Sequence, residues 1–312
     1  ANQIDVTAGG FGVDTSSGDV DYSAIAGAFN LPNDTEEIDF TKGGDKKLTL
    51  NNPNDWKGDT KVSGGTLRLD ENLNTDGKTT VEAGSTLELN TGSLTTSGIE
   101  GTEIEGEDSP KIDLTAGDAS VGDITIDGPS DTTNTFEGKI TGAGDITKDG
   151  SSTQELTGEN DFDGDVNLEG GTLVMNFVDG ATNTVTAQDG TEFGFKTPID
   201  KSATFNGTLN GGTTNSFLSQ RGGGDLTLTG NLSGFTALRI ASEGSIIDET
   251  GDDAFADLDI TVDKGGLFVI DSGDFSKGIT GDGGVKINGD VSFIDEAKEF
   301  KGSTEINGGS LS

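Results

Sequence analysis

The chain has no cysteine and no histidine, and among its 312 residues methionine, tryptophan and tyrosine occur once each. Without cysteine there is no disulfide, no nucleophilic or redox thiol and no thiolate-held haem. That lack suits a chain that crosses an oxidising compartment unfolded. Without histidine there is no Ser-His-Asp triad and no imidazole acid–base chemistry, and lacking both removes the ordinary zinc sites. Carboxylate chemistry is what remains for catalysis, as in a paired-acid glycosidase. Cations are scarce: 19 Lys and Arg stand against 56 Asp and Glu, a formal net charge of −37. Such a chain repels phosphates and anionic lipid surfaces, so neither nucleic acid nor direct membrane insertion is expected. No signal peptide, membrane-spanning run or lipidation motif is present. The sequence opens at ANQIDV and stops at INGGSLS inside a pattern found elsewhere, which reads as a fragment of a longer protein.

Hydrophobic residues are also few, at 29%, yet apolar positions alternate with polar ones from end to end, and 51 glycines punctuate them. A long core with one narrow apolar stripe per layer meets this composition better than a sphere does. The signature apolar-x-Gly-small-x-apolar recurs around Gly64, Gly84, Gly170, Gly190, Gly244, Gly265, Gly289 and Gly308, with short spacings of 19 to 24 residues. A period near 20 with short alternating strands predicts one coil of a parallel β-solenoid, with corners at Gly64-Gly65 and Gly170-Gly171 that need positive φ. Leu67 and Leu69 should point inward, with Leu87 and Leu89 stacked one rung above and Arg68 and Glu88 turned to water. A longer copy is superimposed at a constant offset of 106: Leu50 matches Leu156, Asn54 matches Asn160, Trp56 matches Phe162, Gly58 matches Gly164 and Val62 matches Leu168. Residues 221–246 and 278–311 are weaker copies, the last with Phe300 in the aromatic position.

The segment 138–173 carries Gly-x-Gly-x-apolar-x-Lys from Gly142 to Lys148, apolar-x-Gly-x-Asn-x-aromatic-x-Gly from Leu156 to Gly164, and apolar-x-Gly-Gly-Thr-Leu from Leu168 to Leu173. In these features it resembles the autotransporter-associated β-strand repeat of Gram-negative autotransporter passengers. The resemblance implies an all-β fold, a right-handed parallel β-helix, and display at the cell surface or secretion after export through the periplasm. The membrane β-barrel of that family is absent from this chain. At roughly 15 rungs of about 20 residues the fold would be a rod on the order of 70 Å long. Residues 1–42 read as an N-terminal cap or lead-in and 43–312 as passenger repeats, with an acidic insertion projecting at 100–112.

The expected function is that of a non-enzymatic adhesin passenger. Its partners would be copies of itself on neighbouring cells, giving aggregation and biofilm, or a host matrix protein or glycan. A polysaccharide-degrading β-helix enzyme and a passive surface stalk are the alternatives. Candidate adhesive residues are Lys57 and Lys61, which offset like-charge repulsion, and Glu103, Glu105, Glu107 and Asp108 of the insertion. The recurring aromatics Trp56, Phe162 and Phe300 are expected to fill corners of the interior rather than stack on sugars. Asp161, Asp163 and Asp165 place oxygen ligands at alternate positions, the pattern that suits calcium, though no EF-hand context surrounds them. No other cofactor is expected. The stretch Gly9 to Ser17 matches a single calcium β-roll nonapeptide, which needs tandem copies to share the ion, and reads as a lead-in.

Overall fold

The computed structural model describes residues 3–7, 10–21, 38–114, 123–241, 243–250, 254–293 and 300–312. They fall into two compact units, 1–165 and 166–312, each an all-β parallel solenoid.

In the first unit three parallel ladders take one strand each from successive turns. One runs through Gly10–Asp14, Asp39–Gly43, Thr60–Val62, Thr79–Val81 and Ile99–Glu100. The second runs through Lys47–Leu50, Thr66–Leu69, Thr86–Leu89, Lys111–Leu114 and Lys139–Gly142. The third runs through Asn54–Trp56, Leu73–Thr75, Leu94–Thr96, Ile124–Gly128 and Ile146–Gly150. The expected register holds: Leu67 sits opposite Leu87 and Leu69 opposite Leu89, and all four are fully buried. The column continues from Leu48 below to Ile112 and Ile140 above. Each such side chain contributes about 2 kcal/mol by leaving water, and the stack needs only a narrow stripe because neighbouring turns cover one another. At one end Gln3–Thr7 pairs antiparallel with Gly10–Asp14 and so covers a ladder edge. The expected boundary after residue 42 falls inside the strand Asp39–Gly43.

The second unit repeats the plan. Its ladders comprise Thr172–Phe177, Glu192–Phe195, Phe217–Gln220, Ala237–Ile240, Asp259–Val262 and Ile279–Gly281; Val166–Leu168, Thr184–Ala187, Thr208–Asn210 and Leu232–Ser233; and Ser202–Phe205, Asp225–Leu228, Ser245–Asp248, Leu267–Ile270, Gly284–Ile287 and Ser303–Ile306. Its core is richer in rings: Phe205 lies 5.2 Å from both Phe177 and Phe195, and Phe193 lies 5.2 Å from Phe195.

The turns number about 12 in all, fewer than the fifteen expected. Rungs are unequal in length. Thr66 pairs with Thr86, 20 residues on, but Thr86 pairs with Lys111, 25 on, and Lys111 with Lys139, 28 on. Excursions between strands, such as the exposed stretch from Thr102 to Ser109, consume residues without adding turns.

Polar groups complete the interior. Trp56 and Phe162 are buried, and the Trp56 indole N–H donates to the Thr60 hydroxyl at 2.9 Å; Phe300 is half-buried. Asn160 is buried and satisfies three backbone groups, donating to the Leu156 and Gly158 carbonyls and accepting from the Ile140 N–H. Lys42 and Lys148, again 106 residues apart, are buried with their ammonium groups turned onto corner carbonyls. Lys42 donates to the carbonyls of Gly44, Lys46 and Gly64 at 2.5 to 2.7 Å. Lys148 donates to Gly150 at 2.9 Å and to Asp149. Corner backbone that a leucine would leave unpaired is thereby satisfied.

Candidate adhesive faces

The second ladder of the first unit turns two rows of side chains outward. One is Lys47, Thr66, Thr86, Lys111 and Lys139; the other is Thr49, Arg68, Glu88, Asp113 and Thr141. Every charge on it has an opposite partner. Glu88 meets Lys47 at 2.8 Å and Arg68 at 2.7 Å, and Arg68 also meets Asp70 at 2.7 Å. Lys111 meets Asp113 at 2.8 Å, and Lys139 meets Asp161 at 3.2 Å. In these pairs four cations meet four anions, in a chain whose net charge is −37. Arg68 and Glu88 face outward as expected, but half-buried and paired rather than loose in water.

The acidic corners prove to be structural as well. Asp39 accepts the Asp59 N–H and Asp59 the Lys78 N–H, each at 2.8 Å. Asp123 accepts from Asp145 at 2.9 Å, and Asp145 from Asp165 at 2.7 Å. Each carboxylate therefore ties its corner to the next turn. Stacking acids has a cost: burial, then the charges of Asp123 and Asp165, push the Asp145 carboxyl above its usual range. A carboxyl with a raised folded pKa weakens the fold at neutral pH, and the penalty fades as pH falls through that raised value. Asp145→Asn keeps the accepting oxygen and removes the charge, so its melting temperature at pH 7 should equal or exceed wild type, with the difference vanishing in acid. Asp145→Ala, which loses the acceptor, should cost about 1 kcal/mol.

Of the calcium candidates, Asp161, Asp163 and Asp165 are all exposed. Asp161 pairs with Lys139, and the backbone N–H of Asp163 donates to the Gly142 carbonyl. Among the described residues no group of three His, Cys, Asp or Glu side chains is placed to hold a metal ion. In the nonapeptide-like stretch, Asp14 ends the strand Gly10–Asp14 and accepts from the N–H and hydroxyl of Ser16, whose bonds hold its carboxyl below the usual range; Gly9 lies outside the described residues.

The insertion lies beside the first ladder. Glu107 and the half-exposed Ile104 line a groove of about 690 Å³ with Glu82, Glu100 and a row of threonines, Thr80, Thr133 and Thr135. Lys61 reaches this groove through its 2.6 Å pair with Glu82. Glu103 accepts from Ser109, and the Asp108 carbonyl accepts from the Gly84 N–H, which pins the loop to the corner. Glu105 is exposed in the turn, and Lys57 is exposed just past Trp56, away from this groove.

The second unit holds a feature that repeat reading passes over. In the strand Phe217–Gln220, Leu218 and Gln220 point inward, which turns Phe217 out, 40% exposed. Among the described residues it is the one exposed aromatic. The signal was a bulky ring one place out of phase with the alternation in SFLSQ. Phe217 lines a groove of about 790 Å³ with Glu192, Ser219, Arg221, Arg239, Asp259 and Asp263. Glu192 accepts from Ser219 at 2.7 Å and pairs with Arg221 at 2.8 Å, while Arg239 pairs with Asp263 at 3.0 Å.

Comparison with known proteins agrees with these repeats. Residues 40–69 and 146–175 match the family described as passenger-associated-transport-repeat, two segments offset by the same 106 residues. Over 142 residues, 42% of the chain, it is 31% identical to "Adhesin BmaC autotransporter" of Brucella suis biovar 1 (strain 1330). The aligned stretch spans 4% of that much longer protein. No solved structure matches. Lys42 and Lys148, and the glycine corners at residues 64–65 and 170–171, all fall within the two matched segments.

Proposed function

We propose that this chain, an autotransporter-passenger segment with two passenger-associated-transport repeats, is a non-enzymatic adhesive part of a Gram-negative surface protein and joins cells by pairing with copies of itself. It reaches the surface through the periplasm. The observation that carries the reading is the charge-balanced face of the first unit. Two strongly acidic chains repel at most orientations, but two faces of alternating sign can meet without like charges opposed. Exposed ion pairs are each worth about 0–1 kcal/mol, so those within one molecule exchange readily for pairs between two. Each contact is weak, and many copies per cell make the total strong.

Bacteria displaying the chain, mixed with differently labelled bare cells, should settle in clumps made of displaying cells alone. Clumping should weaken as ionic strength rises past physiological, because salt screens exposed pairs. Clumps that recruit bare cells equally, or that ignore salt, would refute charge-paired self-association.

A further inference from the structure

We propose that the groove around Phe217 in the second unit binds a neutral oligosaccharide, a ligand distinct from the self-contact above. Two rows in register build it: Glu192, Phe217, Ala237 and Asp259 along one, and Gly194, Ser219, Arg239 and Thr261 along the other. The four strands span about 14 Å at the usual inter-strand spacing. A volume of about 790 Å³ falls among small-ligand sites rather than protein interfaces.

The chemistry selects the ligand. A flat ring that is 40% exposed offers an apolar surface to one face of a pyranose. Beside it stand two planar acid–guanidinium pairs, Glu192 with Arg221 and Asp263 with Arg239. Such a pair presents donor and acceptor side by side, which matches vicinal hydroxyls that both donate and accept. Two of the three arginines in the chain are used here. Arg239 is held by Asp263 at 3.0 Å while its side chain stays 68% exposed, so it is aimed yet accessible. Three acids, Glu192, Asp259 and Asp263, outnumber the two arginines, so a carboxylated or sulfated chain would meet repulsion. A peptide has little to grip. The strands here are paired on both sides, leaving no edge for strand addition, and one exposed ring is too small an apolar surface for a helix.

The test uses the purified chain and ligand-observed saturation-transfer NMR with maltotriose, cellotriose, chitotriose and mannotriose, and with trigalacturonate as the acidic comparison. At least one neutral trisaccharide should bind saturably, with Kd on the order of 0.1–1 mM. Phe217→Ala and Arg239→Gln should each weaken it at least tenfold and leave the melting temperature unchanged, since both side chains are exposed. Absence of binding by all four neutral sugars, binding that survives Phe217→Ala, or tighter binding of trigalacturonate would overturn the proposal. Displayed on cells, Phe217→Ala should clump as wild type does, so a failed sugar site and a failed self-contact give different results.

Discussion

Lys42→Met is expected to destabilise the first unit by about 3 kcal/mol in urea unfolding. The lysine is fully buried, and its ammonium is the donor to three carbonyls, those of Gly44, Lys46 and Gly64. Methionine replaces the aliphatic stem but ends one atom short of the ammonium and donates nothing, and each carbonyl left unpaired costs about 1–3 kcal/mol, partly recovered by sparing the buried charge its desolvation. Lys148→Met should act in the same direction, since it removes the donor to the Asp149 and Gly150 carbonyls. The pH dependence separates this from simple loss of packing. Burial is the main cause that pushes both lysines down from 10.5 to about 8. Below pH 8 the folded and unfolded states both hold the proton, so the cost of burying the charge is present in full. Between about 8 and 10.5 the folded state releases its proton while the unfolded state keeps it, so stability rises with pH across that window. Wild type minus Lys42→Met should therefore widen from pH 8 towards 10.5. A difference that stays constant or narrows over that range would show that the lysine is not held as described.

Gly65→Val is expected to cost roughly 3–5 kcal/mol. Gly65 has φ +59°, and a Cβ there would lie 2.5 Å from the Lys46 carbonyl oxygen and 2.6 Å from the Asp45 carbonyl carbon. Those atoms are backbone of the preceding turn, so the clash cannot be relieved by a side chain swinging aside. A β-branched residue is also at its worst in the left-handed region. Gly84 supplies the internal comparison. Its φ is +73°, but no atom lies within 4 Å of the added Cβ. Gly84→Asn should then cost about 1 kcal/mol or less, because asparagine tolerates that backbone and meets no obstacle. Equal losses for Gly65→Asn and Gly84→Asn, read as shifts in the urea midpoint, would mean that φ rather than the close passage of the lower turn sets the cost.

The parts of this fold that were legible in the sequence are those fixed by alternation and by glycine. Alternation decides which side chains enter the core, so the Leu67–Leu87 and Leu69–Leu89 pairings were readable once the 20-residue spacing was known. The 106-residue offset placed equivalent corners at Gly65 and Gly171, with φ of +59° and +66°. Turn counting failed because loops that leave the ladder look like rungs in composition, and only pairing tells them apart. The asymmetry at charged residues is deeper. A lysine or an aspartate in a polar stretch reads as solvated, since its partner lies a full turn away in sequence. Lys42 is inside, bonded to Gly64 across 22 residues, and Asp39 and Asp145 are tied to the next turn across 20. Phe217 shows the converse: a large ring reads as core unless its phase against Leu218 is checked. What charge and hydrophobicity suggest about burial is overridden wherever a corner needs a donor or an outward row needs a surface.

A charge-swap mixing experiment asks whether copies of the chain meet through the charge-balanced face of the first unit. One population of cells would display Lys111→Glu with Lys139→Glu, the other Asp113→Lys with Asp161→Lys, each checked for unchanged melting temperature. Each face alone then carries an excess of one sign where the wild type is balanced. Either population alone should settle slowly, and the two together should clump at a rate near wild type. Populations that each clump alone as wild type does, or a mixture that stays dispersed, would contradict pairing through this face.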